Sequence, residues 1–314
     1  YQITGTALHK VTVIDENGDY AWKEIGELNE GDWLLLKPGA WPEFKAPTFP
    51  EFEFIAKKGR NQTSFQAEDC QLPSSLNPEL AEFIGYYIGD GSNHRDGIRF
   101  TVGKQDPEVR DRIIELSEHL FGKTPVCSVT HNNAWEIAVL SVKVKQWLDH
   151  IAVTKKCSKV AHVPEIIFKS GRTNACAFLK GLFTADGCVR ENGHITLSSS
   201  SKRLSEEVQT MLLYLGIPTQ KTYYESTDSY QISPCNKLGF LTFKKDIGFT
   251  SARKQERLLS ADESQIFIRG EIIPNQRKKL RDWYDGLPKG VKSNVQPLYD
   301  RILNRPSGPS ELTL

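Results

Sequence analysis

The sequence predicts an α+β protein built of two similar halves, preceded by a short all-β segment and followed by a basic, mostly helical tail. Three observations lead there. Two windows of twelve residues, 80–91 and 176–187, repeat the same small and acidic positions at a constant offset of 96. A helix–strand–helix–strand–strand–helix order, read from hydrophobic periodicity, occurs twice. The charge is unevenly spread: residues 1–76 hold 7 Lys+Arg against 12 Asp+Glu, a net of −5, while residues 265–314 hold 9 against 5, a net of +4.

Composition bounds the class. Of 314 residues, 39% are hydrophobic and 25% charged, as in ordinary globular chains, which excludes collagen-like, coiled-coil and mostly disordered proteins. No apolar run approaches the roughly 18–20 residues that span a membrane. No secretory leader is expected. Six scattered cysteines without a Cys-x-x-Cys pair argue against a zinc ribbon or a disulfide framework and suit a reducing cytoplasm.

Taken in order, residues 2–6, 9–14, 20–23 and 32–37 read as short strands. Asn17-Gly18 supplies a hairpin turn and Gly31 a second break. Residues 38–78 are proline-rich and aperiodic, as in a linker. A helix follows over 78–89, with Asn77 suited to the N-cap, Pro78 to the first position and Gly91 just past the end. Then come a strand (97–102), a helix (107–120), strands (126–130, 134–140) and a helix (141–150). The second half repeats this as helix 174–184, strand 194–198, helix 201–215, strands 219–224 and 230–233, and helix 236–247. These readings divide the chain into 1–75, 76–262 and 263–314, with repeats at 78–152 and 174–258.

The matched windows carry the chemistry. Ala81, Gly85 and Gly89 in one and Ala177, Gly181 and Ala185 in the other lie four apart, on one face of each helix. Glycine inside a helix costs about 1 kcal/mol relative to alanine. A tight helix pair, whose backbones approach through small residues, supplies the reason. Phe83, Tyr87, Leu179 and Phe183 flank the stripe and fill each half's own core. Asp90 and Asp186 then end the helices, where a carboxylate opposes the helix dipole by roughly 0.3–1 kcal/mol. One Asp-Gly is a common turn. Two at matched helix ends point to a divalent-metal site.

The windows Leu80-Ala-Glu-Phe-Ile-Gly-Tyr-Tyr-Ile-Gly-Asp-Gly91 and Cys176-Ala-Phe-Leu-Lys-Gly-Leu-Phe-Thr-Ala-Asp-Gly187 resemble the two signature helices of the LAGLIDADG homing endonucleases. The resemblance follows the element order over about residues 76–262. It implies two αββαββα repeats with saddle-like antiparallel sheets and pseudo-two-fold symmetry, in a monomeric, prokaryotic cytoplasmic enzyme that makes double-strand breaks in a long DNA site. By that resemblance Asp90 and Asp186 bind magnesium (manganese substituting) and activate hydrolysis, assisted by the backbone carbonyls of Gly89 and Ala185. Members of that family also place lysines near the metals. In the connector before the second helix the usual slot, three before Pro164, is Ala161, which leaves Lys159. Near the last helix the choice is Lys245.

Strand 97–103 alternates, with Ile98, Phe100 and Val102 opposite Arg99, Thr101 and Gly103; Ile195 and Leu197 oppose His194, Thr196 and Ser198. Composition alone leaves this a plain solvated sheet face. The resemblance makes it a surface laid in the major groove, with Arg95, Arg99, Thr101, Lys104, Arg190, His194, Thr196, Gln220 and Lys221 as expected DNA contacts.

At the front, Thr6-Ala-Leu-His9 and the stretch from Trp22 to Leu36 resemble the Thr-x-x-His block and the Hint fold of inteins. In inteins the histidine assists an acyl shift at an upstream Cys or Ser. The chain opens at Tyr1 and closes at Leu314 without a terminal His-Asn, so the expectation is an intein-encoded endonuclease that does not splice as given. In the tail, Arg277, Lys278 and Lys279 precede Trp283 and Tyr284. A basic helix there either grips phosphates or packs as an amphipathic helix. Three functions fit: a metal-dependent DNA endonuclease, a non-cleaving DNA or RNA binder such as a maturase or regulator, and a fragment of a splicing element. Retention of both acids favours the first.

Overall fold

The computed structural model describes residues 1–55, 70–130, 133–263, 272–303 and 312–313. Residues 264–271 and 304–311 of the expected tail lie outside them. Two compact units form: Tyr1–Lys37 together with Phe267–Leu314, and Pro38–Ile266. This division departs from the expected one at both ends. Residues 38–55 belong with the central unit, and the tail belongs with the front.

The first unit opens with an antiparallel sheet of β1 (Lys10–Ile14), β2 (Tyr20–Glu24) and β3 (Trp33–Leu34), in the order β2-β1-β3. Its hairpin turns at Gly18, where φ is 77°, and Asp15 Oδ1 closes it by accepting from the amides of Asn17 (2.9 Å) and Asp19 (2.8 Å). The strand expected at 2–6 does not form. The Thr6 carbonyl instead accepts from the His9 amide at 3.0 Å, making a turn.

The central unit contains two runs of the same element order. The first is α1 (Pro78–Asp90), β4 (Gly91–His94), β5 (Gly97–Gly103), α2 (Pro107–Phe121), β6 (Val126–Val129), β7 (Ala134–Val139) and α3 (Val142–His150). After the short α4 (Glu165–Phe168) comes the second: α5 (Arg172–Asp186), β8 (Gly187–Val189), β9 (Ile195–Ser199), α6 (Lys202–Tyr214), β10 (Thr219–Tyr224), β11 (Ser229–Pro234) and α7 (Lys237–Asp246). A further helix, α8 (Ala252–Ser260), follows. Each half carries a four-stranded antiparallel sheet, ordered β4-β5-β7-β6 and β10-β11-β9-β8. The strands β4 and β8 are short and carry no apolar alternation; each forms by pairing with the strand after it.

Small residues let α1 and α5 pack backbone to backbone. A Cβ on Gly85 would overlap the Phe178 carbonyl oxygen and lie 2.8 Å from the Leu182 nitrogen; one on Gly181 would overlap the Glu82 carbonyl oxygen. The first helix starts as expected, with Asn77 Oδ1 accepting from the Leu80 amide at 2.8 Å, whereas α5 begins two residues before the expected 174, at Arg172 behind Gly171. They end differently. Gly91 (φ −79°) and Gly187 (φ −87°) are extended, so no left-handed turn is made and each helix runs straight into a strand. Glycine is needed there for room: a Cβ would overlap the carbonyl oxygens of Tyr87 and Phe183.

On either side of this pair each half builds its own core. Phe83 packs edge-on against Phe100 and Phe121, 5.1 and 5.3 Å between ring centres, and Phe183 against Phe243 at 4.9 Å. The proline-rich stretch is a strap rather than a free linker. Trp41 Nε1 donates to the Ser170 carbonyl at 2.9 Å, and Phe49 meets Trp147 edge-on at 5.4 Å.

Returning to the first unit, its tail forms α9 (Arg277–Asp285) and α10 (Lys289–Leu303). It is tied to the β1–β2 hairpin: Asn275 Nδ2 donates to the Asp15 carbonyl at 2.8 Å, Gln276 Nε2 to the Gly18 carbonyl at 2.9 Å, and Lys279 pairs with Asp19 at 2.5 Å.

Candidate active site

Because α1 and α5 touch along their small faces, their C-terminal ends bring Asp90 and Asp186 together. A Cβ built on Gly89 would lie 3.6 Å from Asp186 Oδ2. Burial among the packed helix ends raises the Asp90 pKa, although its side chain keeps a solvent-exposed face, and Lys155 and Lys254 oppose the shift. Asp186 is pushed up to about 6, first by burial and then by the negative charge of Asp90, again against the two lysines. The negative charge of Asp90 thus favours the protonated form of Asp186.

Those two lysines complete the site. Lys155 is buried, and its Nζ donates to the Gly89 carbonyl in a short hydrogen bond. Lys254 Nζ donates to the carbonyls of Thr184 (2.6 Å) and Ala185 (3.5 Å). Burial lowers the pKa of both, while nearby carboxylates restore part of it: Asp186 and Asp90 for Lys155, Asp106 and Asp90 for Lys254. Each helix end thus carries one carboxylate, and a lysine is held at its last carbonyls. Among the described residues no cluster of three or more His, Cys, Asp or Glu is placed to hold a metal. The hard oxygens at this site, two carboxylates and the Gly89 and Ala185 carbonyls, fit a small divalent cation.

The lysines expected from sequence do not join it. Lys159, its side chain 69% exposed, pairs with Asp228 at 2.7 Å. Lys245 is exposed on α7. Lys155 was overlooked because it lies eight residues before Val163 in an irregular connector, and Lys254 because it lies in α8, beyond the element order that the two halves share. Their one sequence signal is a lysine beside each repeat's closing turn.

On the first sheet, Thr101 and Lys104 are exposed, and Lys104 sits 5.8 Å from the centre of the Trp135 ring. Arg99 is already engaged, bonding Glu136 at 3.1 Å and His94 at 2.9 Å. Arg95 points into solvent and pairs with Asp96. On the second sheet Arg190, His194 and Gln220 are exposed. Two expected contacts are not on the open face. Thr196 is 6% exposed and lies within hydrogen-bonding reach of His194 (3.2 Å) and Ser233 (3.3 Å). Lys221 turns to α6 and pairs with Glu206 at 2.9 Å. In the other unit Thr6 and His9 are exposed, Lys278 is exposed, Arg277 is half-buried, and Lys279 is taken by Asp19.

Several known proteins resemble this chain. It is 27% identical to the replication factor C small subunit of Methanocaldococcus jannaschii over 93% of its length and 14% of that protein. To the glutamine–fructose-6-phosphate aminotransferase of the same organism it is 28% identical, over 71% of this chain and 21% of that one. The chain therefore spans well under a third of either curated relative. Among solved structures, mesophilic variants of the homing endonuclease I-DmoI match 54% of this chain and 88% of that one, at 18% identity and a TM-score of 0.43. Residues 173–248, which hold α5 and its acid, match the family model described as a LAGLIDADG-like domain.

Proposed function

We propose that the chain is a site-specific DNA endonuclease of the LAGLIDADG homing type, making metal-dependent double-strand breaks. The observation that carries this reading is the pair of carboxylates at the touching ends of α1 and α5, with the buried Lys155 and the half-buried Lys254 at the neighbouring carbonyls. A divalent cation held there by Asp90 and Asp186 would polarise a phosphate and lower the pKa of a water. Two carboxylates leave most of a magnesium ion's octahedral positions to water and phosphate oxygens. Lys155 and Lys254 supply positive charge where negative charge grows on the phosphate as the bond breaks. One carboxylate and one lysine would then serve each DNA strand.

The DNA would lie on the open sheet faces, read by Thr101, Lys104, Arg190, His194 and Gln220, with Arg99 free to act once Glu136 yields it. Arg95 lies beside them. The chain would then be a segment inserted in a host protein. One chain matches 14% of a replication factor subunit and 21% of an aminotransferase. A stretch shared by proteins of such different names does not supply either named activity, which is what an inserted intein would look like. The Thr6–His9 turn beside a three-stranded sheet fits a remnant of its splicing fold.

The test is selection from a library of randomised duplexes with magnesium present. The expected result is recovery of one long site, cut on both strands. No cleaved site with either magnesium or manganese would remove the reading.

A further inference from the structure

The segment that delivers Lys254 to the paired helix ends is locked from the opposite repeat. Asp106 stands at the N-cap of α2, where an aspartate ordinarily accepts from its own helix. It makes no such bond. Its carboxylate instead accepts from Ser251 Oγ and, at 3.2 Å, from Arg253 Nη2. Asp106 and Ser251 are both buried. Ser251 is itself the N-cap of α8, accepting from the Lys254 amide at 3.3 Å. Next to it Glu108 Oε1 accepts from the Ala252 amide, and the Thr250 amide donates to Thr184 Oγ1 at 3.0 Å. A cavity of about 160 Å³ is lined by Asp90, Asp106, Thr184, Arg253 and Lys254 together.

From these contacts we infer that Asp106 is a positioning residue: through Ser251 and Arg253 it fixes the start of α8 and so holds Lys254 at its helix end, while Lys155 is held at the other end independently of it. An α2 N-terminus has no need of a buried carboxylate aimed away from it. The geometry gives it one, and the chain that ends there carries the ammonium. Lys155 reaches its carbonyl from the connector after α3 and makes none of these contacts. Loss of Asp106 therefore frees one lysine and impairs one strand's cleavage. The strand consequence rests on the endonuclease reading; the placement of Lys254 does not.

The experiment compares Asp106→Ala, Asp106→Asn and Ser251→Ala in the full chain. Acylation of each lysine by an N-hydroxysuccinimide ester is followed by peptide mass spectrometry, and strand-specific cleavage of a selected site is followed beside it. The expected result for Asp106→Ala is a rise of at least fivefold in Lys254 acylation with Lys155 unchanged, and nicked product from tenfold slower cleavage of one strand. Asp106→Asn keeps the acceptor oxygen for Ser251 and restores most of both readouts, which a general loss of packing would not explain. Lys254 unchanged in a folded Asp106→Ala, or Lys155 and Lys254 rising together, overturns the inference. Should Asp106→Ala fail to fold, Ser251→Ala cuts the same link from the other side, and the same two lysine rates decide. If the parent cleaves no DNA, the endonuclease reading fails, and the acylation rates still decide the positioning role.

Discussion

Asp186→Asn separates the cost of the carboxylate pair from its use. In the folded protein without metal, burial and the charge of Asp90 push Asp186 up to about 6, from 3.8 for an unperturbed aspartate. The folded state therefore holds a proton more tightly than the unfolded chain between those values, and stability falls as pH rises through them. Raising a carboxyl from 3.8 to about 6 corresponds to an upper bound of about 3 kcal/mol. Partial solvent access and relaxation reduce this to roughly 1–2 kcal/mol. Asparagine keeps the shape and never ionises. The variant should match the parent near pH 3.5 and exceed it by about 1–2 kcal/mol at pH 7–8, or roughly 2–8 °C in melting temperature. Urea or thermal unfolding in EDTA across that pH range measures it. Magnesium should then raise the parent more than the variant. Stability curves that stay parallel from pH 3.5 to 8 would refute the argument that the folded pair resists ionisation.

Further outcomes follow from the same geometry. Gly85→Ala should cost about 2–4 kcal/mol, because its methyl overlaps backbone of α5 that no rotamer can move; an unchanged melting temperature would contradict the close helix contact. Lys155→Ala and Lys254→Ala should each slow cleavage at least a hundredfold with binding largely intact, while Lys159→Ala and Lys245→Ala leave the rate within about threefold. Lys104→Ala should weaken DNA binding and reduce the slope of log affinity against log salt by about one phosphate's worth, near 0.9. A slope unchanged within error would take Lys104 off the DNA.

The features legible in the sequence were those written in local spacing. The four-residue stripe and the acid after it occupy one helix, so Gly85, Gly181, Asp90 and Asp186 were visible without coordinates. The residues that complete the site come from elsewhere. Lys155 arrives from an irregular connector, Lys254 from α8 beyond the last shared helix α7, and no periodicity marks either. Alternation placed Thr101 on an open face correctly. For Thr196 it failed, because the neighbours His194 and Ser233 cover a threonine on the polar side of β9. The strap formed by residues 38–55 has no regular structure of its own; its aromatic rings Trp41 and Phe49 find partners about 100 residues away or more. The pairing of the tail with the β1–β2 hairpin joins residues 260 apart, so the basic charge of Lys279, read as a phosphate grip, is answered by Asp19.

Whether Asp90 and Asp186 form one metal-dependent cleavage site is decided by single-turnover cleavage of a selected plasmid site by the parent, Asp90→Asn and Asp186→Asn in magnesium. Linear product is expected from the parent alone, with all three proteins binding the site to within a few-fold in calcium or EDTA. Linear product from either variant at the parent's rate would contradict that assignment.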